Sequence, residues 1–235
     1  MNAVYDPPPE PKDRPKSLAR PRDAATLILL RRDDDTPRVL MGRRSSGHDF
    51  MPDKYVFPGG RVDAQDGRTP ALSELAACEE EALRTQARRR PRAFALTAVR
   101  ETFEETGLMI GREAEGPASP PKGWDQFFDQ NVAPCLKNLS FVGRAVTPPY
   151  RPKRFDARFF LADAADALVD DRPPVDGAEL VDLKWFTLED AVQLDLPSVT
   201  RFMLGEIGER VAKPDTGLRP FFLRWSRSGH RMERL

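Results

Sequence analysis

Length, composition and charge limit the classes of protein to which this sequence can belong. Its 235 residues are enough for one domain with elaborations or two small domains with a proper core. The 37 basic and 37 acidic side chains cancel, so no global field favours binding to nucleic acid or to an anionic membrane. No apolar run approaches the roughly 20 residues that a bilayer span requires.

The start of the chain differs in composition from the rest. Residues 1–22 are rich in proline and in alternating charges, which predicts a flexible arm in front of a single domain formed by residues 23–235. The arm lacks the apolar region of a secretory signal peptide, so we expect a cytoplasmic protein. The two cysteines, Cys78 and Cys135, are expected to be unpaired thiols.

The first predicted elements are strands. Apolar runs at 24–30 and 39–44, separated by a polar turn, predict an antiparallel hairpin. A further extended piece at 54–58 ends in a proline, and two glycines follow it. These glycines predict a turn with an unusual backbone conformation or a close backbone approach.

Two helices are predicted after the glycines. Residues 69–90 are rich in Ala, Leu and Glu, with Thr69 as a plausible N-cap, and Pro91 is expected to end this helix. The second helix runs from about 93 to 106 and stops at Gly107, a typical C-terminal cap.

Strands and helices alternate in the remainder of the chain. The sequence predicts a Pro/Gly-rich loop at 112–124, strands at 139–146 and 154–163, a strand, a turn capped by Thr187 and a helix within 179–194, and a last helix at 199–212. Interleaved helices and strands with antiparallel hairpins indicate an α/β or α+β fold with a mixed sheet.

The second helix carries a dense group of carboxylates. Glu101, Glu104 and Glu105 share one face, because residues i, i+3 and i+4 of a helix fall within an arc of about 100°. A divalent cation such as Mg²⁺ or Mn²⁺ would relieve the repulsion between them. The alternative is a solvated acidic face. Glutamates 79–81 are interpreted in that way, because three consecutive residues fan over about 200° of a helix.

The residues around the glycines and the acidic helix resemble the signature of the Nudix hydrolase family. That signature reads Gly, five residues, Glu, seven residues, then Arg-Glu-apolar-x-Glu-Glu-x-Gly-apolar. Gly60 is followed by five residues and Asp66, and the run from Arg100 to Leu108 supplies every charged position and the glycine of the second half. This chain departs from the signature at three points. Asp66 replaces Glu, Thr102 replaces an apolar residue, and 33 residues (67–99) stand where the family usually has seven.

The additional residues, about 67–93, have the composition of a helical insertion that leaves both halves of the motif in place. It resembles an enlarged-motif subgroup similar to coenzyme A diphosphatase-like members. The resemblance implies a Nudix-type α/β/α sandwich with a mixed sheet and an inserted helix. We expect the insertion to lie outside the core and beside the pocket, where it can shape substrate choice.

The resemblance also implies the residues of a site. The ligands of one or more Mg²⁺ or Mn²⁺ ions would be Glu101, Glu104, Glu105 and the backbone of Gly60. Arg100 would hold Glu101 through a charge-assisted hydrogen bond, and Asp66 would support that network from the turn.

Further side chains are candidates for binding substrate. They are Arg43, Arg44 and Tyr55 before the glycine turn, Arg151 and Arg154 in a basic stretch between aromatic residues, and Glu179 as a carboxylate outside the motif. The forked donors of arginine suit phosphate. Ordinary exposed surface is the alternative interpretation for each of them.

The implied activity is that of a pyrophosphohydrolase. It would hydrolyse, with a metal ion, the pyrophosphate bond of a nucleoside diphosphate linked to another moiety, with coenzyme A-like, ADP-ribose-like and NADH-like substrates as candidates. The partner would be such a small-molecule diphosphate, without nucleic acid or membrane, and a homodimer is common in the family. The alternative is a catalytically silent Nudix-fold sensor or interaction domain. The acidic triad favours hydrolysis, because a binding domain has no need for three crowded carboxylates.

Overall fold

The computed structural model describes residues 5–7, 19–32, 36–47, 51–214, 217–226 and 229–235. Most of the predicted N-terminal arm, residues 1–22, lies outside these ranges. Both cysteines lie within them and are free thiols, Cys78 exposed and Cys135 buried. None of the helices in the described ranges combines the length and the apolar character needed to cross a bilayer.

Strands and helices follow one another along the chain in a mixed order. The strands are β1 (Arg22–Arg31), β2 (Arg38–Arg44), β3 (Tyr55–Val56), β4 (Gly59–Arg61), β5 (Gly111–Glu113), β6 (Val132–Pro134), β7 (Ser140–Val146), β8 (Phe155–Asp163), β9 (Leu180–Thr187), β10 (Phe221–Ser226) and β11 (Gly229–Arg234). The helices are α1 (Ala77–Arg84), α2 (Pro91–Thr106), α3 (Asp125–Phe128), α4 (Ala164–Ala167), α5 (Leu188–Ala191) and α6 (Ser198–Ala212), with a 3-10 turn at Asp66–Arg68.

A mixed sheet forms the centre of the fold. Its strand order is β11-β10-β7-β8-β1-β2-β3, with β4 paired to β1 and β9 paired to β2. Strand β1 runs parallel to β8 and antiparallel to β2 and β4. Strands β5 and β6 form a separate small sheet. The mixed sheet and the first hairpin predicted from the sequence are therefore confirmed.

Helices cover both faces of this sheet. Alternate residues of a strand point to opposite faces, and β1 is buried on both. Leu27 and Leu29 join Val99 of α2 in one apolar cluster. Ile28 joins Phe202 of α6 in the other. The arrangement is the α/β/α sandwich that the resemblance implied.

Helix α2 begins two residues earlier than predicted. Pro91 takes the first helical position, where its missing N–H costs nothing, and it therefore starts this helix instead of ending the preceding one. The helix ends as predicted at Gly107. This glycine has φ 74°, a left-handed conformation, and its N–H donates to the Phe103 carbonyl at 2.8 Å.

The insertion is less helical than the sequence predicts. The structure describes all of it, and its α-helix is confined to Ala77–Arg84, whereas the composition predicts a helix over 69–90. Residues 69–76 instead run as an irregular segment beside the end of β6 and the residues directly after it. The Leu72 N–H, for example, donates to the Pro134 carbonyl at 2.8 Å. These tertiary hydrogen bonds outweigh the weak local preference for helix.

The insertion also belongs to the core, which corrects the expectation that it lies outside. Leu75 and Leu83 are 8% and 2% exposed, and both join the apolar cluster that contains α2. The Arg92 guanidinium donates to the carbonyls of Gly67 and Thr69 at 2.8 and 3.0 Å. Thr69 closes the 3-10 turn instead of capping a helix.

We expect Leu83→Ala to lower the free energy of unfolding by about 2–5 kcal/mol, because it leaves a cavity in the cluster beneath α2. Leu72→Ala, in the same insertion but at a side chain that is 53% exposed, is the matched control. Its effect should stay within about 0.5 kcal/mol. Urea denaturation followed by circular dichroism measures both variants. Equal effects would contradict the assignment of the insertion to the core.

The C-terminal hairpin of β10 and β11 was not predicted from the sequence. It extends the sheet beyond β7 and buries Phe221 and Leu223 against α6. The Arg234 guanidinium donates to both oxygens of the buried Glu206 carboxylate of α6, at 2.6 and 2.8 Å. The alternating apolar run at 221–225 was the signal that could have revealed β10.

Candidate active site

A cavity of about 950 Å³ lies beside the glycine turn. Acidic side chains line it from the turn, from α2 and from the residue before β9: Asp63, Glu101, Glu104 and Glu179. Basic side chains line it from other segments, among them Arg20, Arg22, Arg44, Arg151, Lys153 and Arg154. A cavity of this size with both kinds of charge can enclose a small anionic molecule together with a cation.

The glycine turn packs directly against the acidic helix. The Gly59 N–H donates to Glu105 Oε2 at 2.8 Å. A Cβ atom on Gly60 would lie 2.4 Å from the carboxyl carbon of Glu101, so only glycine leaves room for that carboxylate. A Cβ atom on Gly59 would lie 2.5 Å from the Ala25 carbonyl oxygen. Both glycines are therefore required by close approach.

One buried guanidinium organises the carboxylates of the helix. Arg100 Nη1 donates to Glu104 Oε2 at 2.8 Å and lies 3.0 Å from Glu101 Oε1. Its Nε donates to Asp66 Oδ1 at 2.9 Å. Because the Arg100 side chain is only 6% exposed, water screens these contacts weakly. Arg100 thus makes the expected contact with Glu101 and also fixes Glu104.

Asp66 lies behind Arg100 and is fully buried. Its Oδ1 accepts from Arg100 Nε and, at 3.1 Å, from the indole Nε1–H of Trp124. Its Oδ2 accepts from Arg100 Nη2 at 3.1 Å and from the Asp63 N–H at 2.8 Å, and lies 2.7 Å from the Thr97 hydroxyl. Asp66 does not line the cavity, so its contacts make it a positioning residue. Sequence reasoning missed Thr97 and Trp124, for which no local signal exists.

Burial raises the pKa of the inward carboxyls. Desolvation raises the pKa of Glu101 to about 7, against the opposing effect of the Arg100 charge. It raises the pKa of Glu105 to about 8, against the hydrogen bond from Gly59. The half-buried Glu104 also has a raised pKa, again mainly through desolvation. Perturbed carboxyls that cluster in a cleft are typical of functional sites.

The donor set at the glycine turn suits a hard divalent cation. Glu101 and Glu105 offer carboxylate oxygens beside the backbone of Gly60, and oxygen donors are those that Mg²⁺ and Mn²⁺ prefer. Among the residues within the described ranges, no three His, Cys, Asp or Glu side chains are already arranged as a metal cage. Glu101 and Glu104 pair with Arg100, and Glu105 pairs with Gly59.

Arg44 and Arg43 lie on opposite sides of β2. Arg44 lines the cavity close enough to Glu105, Glu179 and Glu101 for their charges to act on it, although desolvation lowers the pKa of its guanidinium. Arg43 instead pairs with Asp53 at 3.1 Å. Consecutive residues of a strand point in opposite directions, so only one of the two can face the cavity.

Tyr55 lies on the same side of the sheet as Arg43, because the two residues are opposite each other in the register of β2 and β3. Its hydroxyl hydrogen-bonds to the Asp182 carboxylate. Neither Arg43 nor Tyr55 lines the cavity. The structure therefore does not bring these two predicted substrate-binding residues to the site.

The other predicted residues do reach the cavity. Arg151, Arg154 and Glu179 all line it. Arg154 donates to the carbonyls of Thr147 and Ala19 at 3.1 and 2.9 Å, which holds the basic loop against the start of β1. Glu179 is exposed and electrostatically coupled to Glu101 and Glu105.

Comparison with known proteins identifies relatives of this chain. No protein-family model matches the chain. The crystal structure of a NUDIX hydrolase from Alicyclobacillus acidocaldarius superposes with a TM-score of 0.61 at 28% identity, covering 80% of this chain and 91% of that one. A Caenorhabditis elegans protein named as a nudix hydrolase is 30% identical over 184 residues, covering 73% of this chain and 53% of that protein. The chain is thus related in sequence and in fold to Nudix hydrolases.

The chain is also similar to an acyl-coenzyme A diphosphatase of Gallus gallus. The two are 27% identical over 213 residues, which cover 66% of this chain and 55% of the relative. The chain thus spans about half the length of the curated relatives it matches.

The two halves of the Nudix motif lie together in the structure despite the long insertion between them. Although 33 residues separate Asp66 from Arg100 in the sequence, the carboxylate of the first contacts the guanidinium of the second. The insertion leaves and returns at the same end of α2. None of residues 67–93, all of which the structure describes, lines the cavity. The insertion therefore contributes no side chain to the cavity lining, because its apolar side chains pack into the core.

Proposed function

We propose that residues 23–235 form a single Nudix domain that hydrolyses the pyrophosphate bond of a nucleoside diphosphate linked to another moiety. The observation that carries the proposal is the pair of poorly solvated carboxylates, Glu101 and Glu105, against the turn of Gly59 and Gly60. Glu101 lines a cavity whose other lining residues include many basic side chains. Such a site can hold a cation and the anionic substrate that it would activate.

The Nudix family generally uses divalent metal ions, and we propose Mg²⁺ or Mn²⁺ for this chain. The residues that would hold the ion are Glu101, Glu104, Glu105 and the backbone of Gly60. When bound, such an ion neutralises charge on a diphosphate and lowers the pKa of a water. Arg100 keeps Glu101 and Glu104 oriented, and Asp66 keeps Arg100 in place.

The basic lining supplies the contacts to the substrate. Arg44, Arg151 and Arg154 offer N–H donors to phosphate oxygens. Glu101 and Glu179 are the carboxylates that can accept a proton from the attacking water, the second from outside the motif. Both side chains line the cavity. Comparing the pH profiles of Glu101→Gln and Glu179→Gln assigns the base.

The name of one relative narrows the choice of substrate. A protein of 27% identity is named as an acyl-coenzyme A diphosphatase, and we therefore place coenzyme A-like diphosphates first among the candidates. ADP-ribose-like and NADH-like diphosphates follow. All three share a diphosphate between a nucleoside and a second moiety, which is the chemistry that the site supports.

Turnover of a panel of diphosphates tests the proposal. Coenzyme A, ADP-ribose, NADH, nucleotide sugars and dinucleoside polyphosphates are incubated with Mg²⁺ or Mn²⁺ in water enriched in oxygen-18. We expect two phosphomonoester products from at least one compound, one of them with a single labelled oxygen. Chelation with EDTA should abolish turnover, and added metal should restore it. Binding of a panel member without any turnover would favour the alternative, a catalytically silent Nudix-fold sensor.

A further inference from the structure

We propose that Trp124 is a positioning residue for this hydrolysis. Its indole N–H fixes the carboxylate of Asp66, which fixes Arg100 and, through Arg100, the carboxylates of Glu101 and Glu104. Trp124 lies outside the Nudix motif, in the loop before α3. The inference rests on the proposed function, because positioning has meaning only for a site that performs chemistry.

The contact between Trp124 and Asp66 joins distant parts of the chain. Trp124 is fully buried, and its Nε1–H donates to Asp66 Oδ1 at 3.1 Å across a separation of 58 residues. A buried indole N–H without an acceptor would be costly. Asp66 satisfies that requirement with the carboxylate oxygen that also pairs with Arg100, and hydrogen bonds to such ion-paired groups are stronger than neutral ones.

The hydrogen bond from Trp124 determines how the Asp66 carboxylate is oriented. Oδ2 has three polar neighbours, whereas Oδ1 has two, Arg100 Nε and Trp124 Nε1. Without the indole donor, Arg100 alone would hold Oδ1. The paired contact between a guanidinium and a carboxylate depends on both groups staying nearly coplanar. A tilt of this carboxylate would therefore turn Arg100.

Arg100 transmits that orientation to the cavity. Its Nη1 contacts both Glu104 and Glu101, at 2.8 and 3.0 Å. These two carboxylates line the cavity, whereas Asp66 and Trp124 do not. The chain of contacts therefore runs from an indole in the core to the groups that face the substrate.

The aromatic cluster around Trp124 keeps the indole fixed. The ring of Phe127 packs edge-on against Trp124 at 5.3 Å between centroids. Phe127 also packs edge-on at 5.3 Å against Phe103, which belongs to α2 between Glu101 and Glu104. Phe128 lies 6.0 Å from Trp124 on the same cluster. Because these neighbours restrain the ring, the indole N–H already points at Asp66 in the folded protein.

Two complementary variants separate positioning from packing. Trp124→Phe keeps an aromatic ring but removes the N–H donor. Trp124→His removes the six-membered ring, but its Nε2–H can occupy the place of the indole N–H. Removing the residues that orient metal ligands typically costs about 10–100-fold in activity or metal affinity. We expect that loss in kcat for Trp124→Phe, with KM little changed and a modest loss of Tm from the smaller ring. Trp124→His should lose more Tm but retain more kcat.

Leu83→Ala is the matched control, because Leu83 is buried in the same apolar cluster but lies outside the group of aromatic rings that restrains Trp124. It should lower Tm and leave kcat unchanged. The affinity for Mn²⁺, measured by calorimetry without substrate, is the readout independent of turnover, and it should fall for Trp124→Phe but not for Leu83→Ala. If Trp124→His does not fold, the comparison of Trp124→Phe with Leu83→Ala tests the proposal.

The proposal is overturned if kcat and Mn²⁺ affinity follow the loss of Tm across the three variants, since that ordering would mean that Trp124 acts by packing alone. Failure of the proposed function gives a different result. In that case the parent protein hydrolyses no panel member, and the Mn²⁺ affinities of the same variants still decide whether Trp124 positions the carboxylates.

Discussion

Replacing Glu105 by glutamine is expected to lower kcat by about 10²–10³-fold, the usual cost of losing one preorganised electrostatic contact at a reacting centre. Glutamine keeps the shape of the side chain, and its amide oxygen can still accept the Gly59 N–H that Glu105 Oε2 accepts at 2.8 Å. Only the negative charge is lost, and with it a ligand for the divalent ion. Steady-state turnover of the best panel substrate at saturating metal measures the effect.

Stability without metal should hold or rise slightly in Glu105→Gln, because a neutral amide replaces a buried carboxyl next to Glu101. The matched control is Glu80→Gln on the exposed side of α1, where Glu80 pairs with Arg84 at 3.2 Å. This control should change neither kcat nor stability appreciably. Turnover of Glu105→Gln at the level of the control would mean that the acidic face of α2 is not the metal site.

Replacing Arg100 by methionine is expected to lower the free energy of unfolding by about 3–5 kcal/mol, the usual cost of removing one partner of a buried ion pair. The Asp66 carboxylate is fully buried and would lose its cation. Turnover should also disappear, because Glu101 and Glu104 would lose the guanidinium that orients them. Urea denaturation measures the loss of stability, and turnover of the best panel substrate measures the loss of activity.

Two further variants define the origin of that loss. Arg84→Met removes an exposed arginine that forms an i,i+4 pair on α1, and should change stability by less than about 1 kcal/mol. Combining Arg100→Met with Asp66→Asn removes both buried charges, so it should recover part of the lost stability but no turnover. An Arg100→Met protein as stable as Arg84→Met would show that the ion pair with Asp66 does not hold the site together.

Local pattern alone determined the elements on which the Nudix motif stands. Strands β1, β2, β7 and β8 could be predicted because each is a short apolar run, and burial of such a run needs no knowledge of its partner. The shared face of Glu101, Glu104 and Glu105 follows from the helical repeat, which is a property of neighbouring residues. The likeness of two short segments to a family motif then linked the glycine turn to α2.

Tertiary structure decided which of the candidate residues meet. Arg43 and Arg44 are adjacent in the sequence and equally suited to phosphate, but the register of β2 turns only Arg44 to the cavity. Asp66 meets Trp124 across 58 residues, a contact that no periodicity encodes.

The insertion shows that local composition is also limited as a predictor of secondary structure. Its composition favours helix throughout 69–90, yet hydrogen bonds to the end of β6 and the residues after it keep residues 69–76 irregular and leave only Ala77–Arg84 helical. Helix propensity amounts to a few tenths of a kcal/mol for each residue. Burial of Leu75 and Leu83 and the pairing with a distant segment contribute more, and both depend on the folded chain rather than on neighbouring residues.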